Sequence, residues 1–507
     1  MDILKRIEGY AVDCPNRKAF VFRNESVTYG ELWEKSGNIA AWIKSLNIPT
    51  GMPIPIYGHK NILMPICMIA CTRAGHAYVP IDTSMPEGRV KFILDAVGSQ
   101  VAINTEEDSE FGKNIINTVK GEIEEIASDK LISYAKTTVL KDEDANGKGD
   151  VHYIIFTSGS TGKPKGVEVT TGNLESYLAW SEKLVDRKQG VFLNQAPFSF
   201  DLSVMDTYTG LATGSTIACI DKAMTEDVAS AIDFVKANHV TYWVSTPSFS
   251  EICLGSEKFN GDDIPSLRKF LFCGEPLRNQ TAKALLERFP DADVINTYGP
   301  TETTVCVTSV IIDKKIVNEE AVLPVGVAKE GTTVYAIDED GRRLPFNANG
   351  ELVITGDTVA KGYFEDKVKT ELSFFINEDG LKAYKTGDMG YVTENGMVYC
   401  IGRSDSQIKL HGYRIELGDI ERNLADLEYV DDAVVLTEMK DGAPYSLTAC
   451  IAQDAKVDTS YKRRKWLRES LGERLPKYMV PKKIVFFESF PLTSNGKIDK
   501  KKIREEV

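Results

Sequence analysis

The sequence predicts a multi-domain α/β protein. A large N-terminal domain, residues 1–404, would comprise two parallel-type αβ subdomains and a small β-rich subdomain, followed by a small α+β domain, residues 405–507. Three observations carry this. Residues 27–82 and 191–300 alternate apolar, β-branched or aromatic runs with segments of 3.6-residue apolar period, the pattern of parallel strands covered by helices. Residues 323–400 contain only short apolar runs separated by Gly and Asp turns. After Arg403 and the polar stretch GRSDSQ (402–407), helical and extended patterns resume over about 100 residues, the size of an independent domain.

Taken in order, TYGELWEKSGNIAAWIKSL reads as a helix entered from a turn, MPIPIYG as a strand, the next apolar run as a helix and AYVPI as a strand. In the second region FLNQAPF, STIACI, VTYWVST, KFLFCGE and ADVINTYGP read as strands, and AMTEDVASAIDFVKANH as one helix. PVG, TVYAID, GELVIT and MVYCIGR are the short strands of the β-rich unit. The last domain offers VDDAVVLTEM, SLTACIAQ and KKIVFFESF as strands and YKRRKWLRESLGERL as a helix. No internal repeat or low-complexity tract interrupts the 507 residues.

With 42 % hydrophobic and 26 % charged residues the chain has the composition of a soluble globular protein. Its longest strongly apolar run, Ile62–Cys71, is far short of the roughly 20 residues of a membrane helix, so no stable membrane insertion is expected. The N-terminal MDILKRIEGYAVDCPNRK has no signal-peptide pattern, and nine cysteines without CxxC pairs suggest reduced thiols, together a cytoplasmic protein. A net charge of −14 disfavours nucleic acid or anionic lipid as partner. The charge is uneven, however: residues 462–504 hold 14 Lys and Arg against 4 Asp and Glu, which is either a solvated face or the footprint of an acidic partner.

The most conspicuous loop is TSGSTGKPKG (157–166), which follows the apolar run VHYIIF. Its glycines, hydroxyls and lysines suit a phosphate, since glycine lets backbone N–H groups approach an anion closely. It is not a Walker A loop, because Thr157 stands where the first Gly should be and Pro164 follows the Lys. NTYGPTE (296–302) ends another strand, where α/β sheets place ligands; Tyr298 could stack on a base and Glu302 offers Mg²⁺ a hard oxygen. Asp388 in YKTGDMG can accept from a ribose diol or merely shape a turn. Asp201 in FSFDLSVMD sits among apolar residues and needs a cation, from the fold or from a ligand ammonium. Lys497 in PLTSNGKIDK is either a solubilising turn residue or a delivered charge for a transition state. The five histidines are scattered and read as structural, and no GxSxG elbow is present.

In this order TSGSTGKPKG, FDLS, NTYGPTE, GELVITGDTVAKGY, YKTGDM, GRSDSQIKLHGYRIELGDIE and PLTSNGKID, with AGHAYVPID upstream, resemble the motif series of the adenylate-forming enzymes over essentially the whole chain. FLFCGEPL with Cys273, QIKLHGYRIEL with His411, and FSFDLSVMD are similar to the D-alanine–D-alanyl carrier protein ligases within that superfamily. The resemblance implies ATP- and Mg²⁺-dependent conversion of D-alanine to D-alanyl-AMP. Transfer to the phosphopantetheine thiol of an acidic carrier protein would follow, for D-alanylation of lipoteichoic acid. A stand-alone adenylation enzyme for another small amino acid, serving a peptide-synthetase-type carrier, is the competing reading.

Position by position, the resemblance implies that Thr157, Ser158, Gly159, Ser160, Thr161 and Lys165 hold the ATP phosphates. Asn296, Thr297, Tyr298, Gly299, Pro300 and Thr301 would line the adenine and α-phosphate site, with Glu302 toward Mg²⁺. Asp388 and Arg403 would bind the ribose, and Tyr399 would also belong to the ATP site. Asp201 would pair with the substrate ammonium, with Val305 and Cys273 beside the alanine side chain; Lys497 would bridge carboxylate and phosphate as the catalytic residue. The C-terminal domain would be mobile about a hinge near 402–407, bringing Lys497 in for the first step and clearing it for the thiol.

Overall fold

A computed structural model describes residues 2–106, 124–126, 144–158, 163–186, 189–403, 407–410, 412–440, 443–453, 457–491 and 498–507. Gly159, Ser160, Thr161, Asp405, His411 and Lys497 therefore lie outside the described residues. The chain divides into two compact units. Met1–Thr83, Leu94–Phe156 and Gly166–Ser404 form the first; Ser84–Ile93, Thr157–Lys165 and Asp405–Val507 form the second.

Among the described residues, fourteen strands of the first unit hydrogen-bond into one sheet. Its parallel part runs Asp293–Tyr298, Lys269–Phe272, Tyr242–Ser245, Val191–Asn194, Thr216–Cys219 and Lys18–Phe22, so the chain's beginning joins the strands of the second αβ region. A second sheet of seven contains Ile54–Tyr57, Tyr78–Ile81, Val151–Thr157 and Lys165–Thr170. The strands Ile54–Tyr57 and Tyr78–Ile81 are buried on both faces, which explains why they read as unbroken apolar runs. One core joins these strands to the helices Tyr29–Ser45, Leu63–Arg73, Thr171–Ser181 and Leu202–Ala212. Another, rich in Phe and centred on Trp243, packs helices such as Val228–Ala237 and Asn279–Arg288 on the large sheet.

Two expectations change in detail. AMTEDVASAIDFVKANH is not one helix: it breaks at Asp227, between Lys222–Glu226 and Val228–Ala237. The Asp227 carboxylate accepts from the N–H groups of Ala229 and Ser230, an N-cap that starts the second helix afresh. The β-rich stretch has its own core around Leu352, Ile354 and Val398, but not its own sheet. Thr332–Ile337, Gly350–Gly356, Lys382–Val392 and Met397–Arg403 continue the large sheet antiparallel, through Gly326–Ala328 and Thr308–Ile312 onto Asp293–Tyr298.

In the second unit, Asp432–Lys440, Ala443–Ala452 and Lys483–Phe487 form a three-stranded sheet, and Gln407–Leu410 pairs with Tyr413–Glu416. The helices Leu417–Ala425 and Tyr461–Gly472 bury Ile420, Leu424, Leu467 and Leu471 in its core.

Candidate functional site

Within the first unit, continuation of one sheet into the β-rich stretch brings three predicted residues together. Asp388 and Arg403 lie directly opposite each other on antiparallel strands, beside a bulge between Met389 and Gly390. Such bulges re-aim side chains next to functional sites. Arg403 Nη1 donates to Asp388 Oδ1, and the Tyr298 hydroxyl donates to Oδ2 at 2.6 Å. The Asp388 N–H donates to Thr386 Oγ1 at 3.0 Å, and that hydroxyl donates to the Leu352 carbonyl, which fixes the turn. Burial, and then the neighbouring Asp388, push the Tyr298 phenol well above its usual range, so it stays a donor. A carboxylate has about four acceptor positions. Two donors fix its orientation and leave capacity for a diol.

Glu302 is fully buried. Its Oε1 accepts from the Tyr363 hydroxyl at 2.8 Å, and the Tyr384 hydroxyl lies 3.2 Å from that of Tyr363. Phe374 packs against both rings, holding the tyrosines under the carboxylate. Neither tyrosine was singled out from the sequence, although both stand inside motif segments already quoted, GELVITGDTVAKGY and YKTGDM.

NTYGPTE is followed by an unusual backbone. Thr304 and Val305 both have positive φ, 63° and 69°. The Cys306 N–H donates to the Thr304 carbonyl at 2.9 Å, closing a γ-turn around Val305. A β-branched residue there is strained by roughly 1–3 kcal/mol, and such strain concentrates at functional sites. The turn points the Val305 carbonyl at the Cys273 thiol, which donates to it over 3.7 Å. Gly299 is required by the same packing: a Cβ there would lie 2.5 Å from Cys306 Cα, and backbone cannot give way.

Asp201 immediately precedes the fully buried helix Leu202–Ala212. The buried Tyr153 feels its charge, and the Tyr153 hydroxyl has no hydrogen-bond partner among the described residues. Tyr177, buried in the same core as Cys273, Val305 and Cys306, is raised well above a usual phenol by burial and then by the two thiols. Sequence reasoning missed these tyrosines and Cys306, because a buried Tyr in an apolar run carries no local mark of function.

The other predicted residues are used differently. The Asn296 amide donates to the Pro324 carbonyl at 2.8 Å and the Thr297 hydroxyl to the Phe272 carbonyl at 2.7 Å, tying strand ends together. Thr301 is buried in the 3₁₀ turn Thr301–Thr303, which starts after Pro300. Tyr399 stacks on Tyr391 at 4.8 Å, and burial followed by Glu320 raises its phenol to about 12. In the second unit the Ser158 hydroxyl donates to the Arg414 carbonyl at 2.6 Å. Thr157 Oγ1 is buried without a partner among the described residues, as a hydroxyl awaiting an acceptor would be. Lys165 opens the strand Lys165–Thr170.

The donor set fits the nucleotide and metal that the motifs imply. A single buried carboxylate with hard oxygens suits Mg²⁺, which takes one or two carboxylates and fills its shell with water and phosphate oxygens. The oriented Asp388 fits a ribose. In the second unit, the Thr157 hydroxyl, unpartnered among the described residues, fits an anion.

Comparison with known proteins agrees with this geometry. The sequence pattern of the family described as AMP-binding enzyme matches residues 7–364, and that of the AMP-binding enzyme C-terminal domain matches 419–497. The D-alanine–D-alanyl carrier protein ligase of Bacillus licheniformis is 40% identical over 518 aligned positions, covering 100% of both chains. The protein of the same name from Bacillus cereus is 40% identical over 513, again covering 100% of each. Among solved structures, an NRPS protein containing adenylation and PCP domains superposes with a TM-score of 0.86 at 24% identity, over 100% of this chain and 84% of that one. The Vibrio cholerae adenylation domain AlmE, in complex with glycyl-adenosine-5′-phosphate, gives 0.84 at 22% identity, over 99% and 96%. At such identities these structures establish a shared fold.

Proposed function

The chain belongs to the family of AMP-binding enzymes and, within it, to the D-alanine–D-alanyl carrier protein ligases, and from that premise we propose how its residues divide the work. It is an AMP-forming ligase that adenylates an amino acid and passes the acyl group to a carrier protein. On our reading the amino acid is D-alanine. The acceptor is the phosphopantetheine thiol of an acidic carrier, the destination is teichoic acid, and the reaction is cytoplasmic.

The observation that carries the nucleotide-binding part of this reading is the convergence of Tyr298 and Arg403 on the two oxygens of Asp388. It supplies a pre-oriented acceptor for the ribose hydroxyls. In the first step a D-alanine carboxylate oxygen bonds to the α-phosphorus while the bond to pyrophosphate breaks and the electron pair leaves with it. A weak nucleophile and a charged leaving group call for positioning and neutralisation rather than for a base. Thr157, Ser158, Gly159, Ser160, Thr161 and Lys165 hold the phosphates. Glu302, fixed by Tyr363, would hold Mg²⁺, which would supply neutralisation of phosphate charge. Asp201 receives the substrate ammonium, and Cys273, turned toward the Val305 carbonyl, bounds the methyl group. Asn296, Thr297, Gly299, Pro300 and Thr301 shape the strand end against which the adenine rests. Lys497, a role read from PLTSNGKID alone, places its ammonium between carboxylate and α-phosphate. In the second step the carrier thiolate attacks the acyl carbon and AMP departs, after the domain from residue 405 onward has turned about 402–407.

Carrier loading tests this. With labelled D-alanine and ATP, the enzyme should place hydroxylamine-labile label on a phosphopantetheinylated carrier and none on the apo carrier. Asp405→Pro, which stiffens the boundary, should slow this loading at least tenfold more than it slows ATP–pyrophosphate exchange. Equal loss in both reactions would remove the hinge, and an adenylate that never reaches any phosphopantetheinylated carrier would remove the ligase reading.

A further inference from the structure

Lys60 follows the strand Ile54–Tyr57 of the seven-stranded sheet and is only 9% exposed. Its ammonium crosses to the large sheet, where Nζ donates to the Asn194 carbonyl at 2.9 Å and to the Gln195 carbonyl at 2.6 Å. Both acceptors are uncharged, and burial lowers the Lys60 pKa from 10.5 to about 8. A neutral donor would bridge the same two carbonyls without desolvating a charge. Nor is Lys60 needed merely to join the sheets, because His59 already does so. His59 Nδ1 lies 2.6 Å from Asp82 Oδ2, just past Tyr78–Ile81, and Nε2 accepts from the Lys222 N–H, past Thr216–Cys219.

Asn194 ends the strand Val191–Asn194, and its side chain makes a second link. Asn194 Nδ2 donates to Asp206 Oδ1 at 2.7 Å, and Asp206 is fully buried in the helix Leu202–Ala212. The Thr207 hydroxyl donates to the same oxygen at 3.1 Å. Between the two links runs QAPFSFD (195–201), so the segment that carries Asp201 is pinned at both ends to one junction. Within it the Phe200 N–H donates to the Pro197 carbonyl, and the Val204 N–H to the Asp201 carbonyl, each at 2.9 Å. The junction stands at the carboxyl ends of strands, where α/β sheets take ligands. We infer that Lys60, Asn194 and Asp206 are positioning residues for Asp201, locking the 195–201 loop where its carboxylate meets the substrate ammonium. This rests on the Asp201 assignment above and supplies the support that makes it effective. A binding group is held to about 0.5 Å only by neighbours that are themselves locked, and charge-assisted hydrogen bonds are roughly twice as strong as neutral ones.

The test compares two adenylate mimics on the full-length enzyme: D-alanyl-sulfamoyl adenosine, which carries the ammonium, and its propionyl counterpart, which lacks it. Lys60→Met keeps the length of the side chain and leaves both carbonyls without their donor. Its Ki for the D-alanyl mimic should rise at least about tenfold, while that for the propionyl mimic stays within about twofold. In ATP–pyrophosphate exchange KM for D-alanine should rise with it and KM for ATP should hold. Asp206→Leu, similar in size but without an acceptor, should show the same split; Asp206→Asn, whose amide oxygen still accepts from Asn194, should restore the wild-type ratio. Both constants are read on folded molecules, so a reduced folded fraction does not mimic the split. Asp201→Asn is the control and should itself separate the mimics. If it does, and Lys60→Met and Asp206→Leu move both mimics alike or neither, the positioning role is overturned and the Asp201 assignment stands. If Asp201→Asn moves both mimics alike, the Asp201 assignment falls and this proposal with it.

Discussion

Asp388 matters because each of its oxygens already has a donor before any ligand arrives, Arg403 on one side and Tyr298 on the other. Hydrogen bonds to a charged group contribute about 1.5–3 kcal/mol. If Asp388 accepts from the ribose as proposed, Tyr298→Phe should therefore raise KM for ATP about tenfold or more, with a smaller effect on kcat, because the carboxylate loses its orientation and not its charge. Unchanged ATP kinetics in a folded Tyr298→Phe protein would show that the hydroxyl serves only packing. At this scale the sequence named the actors and missed their connections. Asp388, Arg403, Glu302 and Cys273 stand in recognisable motifs. Tyr363 reaches Glu302 across 61 residues of chain and Tyr298 reaches Asp388 across 90, distances over which no local pattern carries information.

Elements were legible where period or capping chemistry was strong. The helix Tyr29–Ser45 begins with a reciprocal Thr28–Glu31 capping box, visible in TYGE itself. Asp227 was hidden because the helical period continues on both sides of it, and only the carboxylate's bonds to the next turn reveal a cap. The positive-φ pair Thr304–Val305 was equally hidden, since neither residue type favours that conformation.

The strand Val151–Thr157 supplies a pH-sensitive joint between elements. His152 is buried, with Nδ1 3.2 Å from the Thr171 hydroxyl and Nε2 3.1 Å from that of Tyr208, which in turn donates to Tyr78. Desolvation lowers its pKa from 6.5 to about 3. Below pH 6.5 the unfolded chain takes up a proton that the folded protein refuses, so this contribution to stability is complete above pH 6.5. It is lost progressively as pH falls toward 3. Between pH 6.5 and 5 the wild type should lose roughly 2 kcal/mol that His152→Gln, which cannot titrate, retains. Denaturant melts of both proteins at the two pH values check this; parallel losses would mean that the imidazole is protonated in the folded state.

At the scale of the whole molecule, period and composition disclosed the two αβ regions and a C-terminal domain, while sheet membership needed the structure. The short strands of 323–400 read as a separate unit because Gly and Asp turns divide them, yet antiparallel pairing extends the large sheet through them. That continuity carries Asp388 and Arg403 to Tyr298, so this hydrogen-bonded trio is a product of sheet topology. The uneven charge, −14 overall with a basic helix at 461–472, was plain in the sequence.

The central claim is that this chain activates D-alanine. Amino-acid-dependent ATP–pyrophosphate exchange with D-alanine, L-alanine, glycine and D-serine tests it most directly, because it reads the adenylation step without a carrier. The account predicts the highest kcat/KM for D-alanine, with L-alanine at least about tenfold lower, a discrimination of ~1.4 kcal/mol within reach of a close-fitting pocket wall. Exchange that favours L-alanine, glycine or D-serine would contradict it and make the chain an adenylation enzyme for another small amino acid.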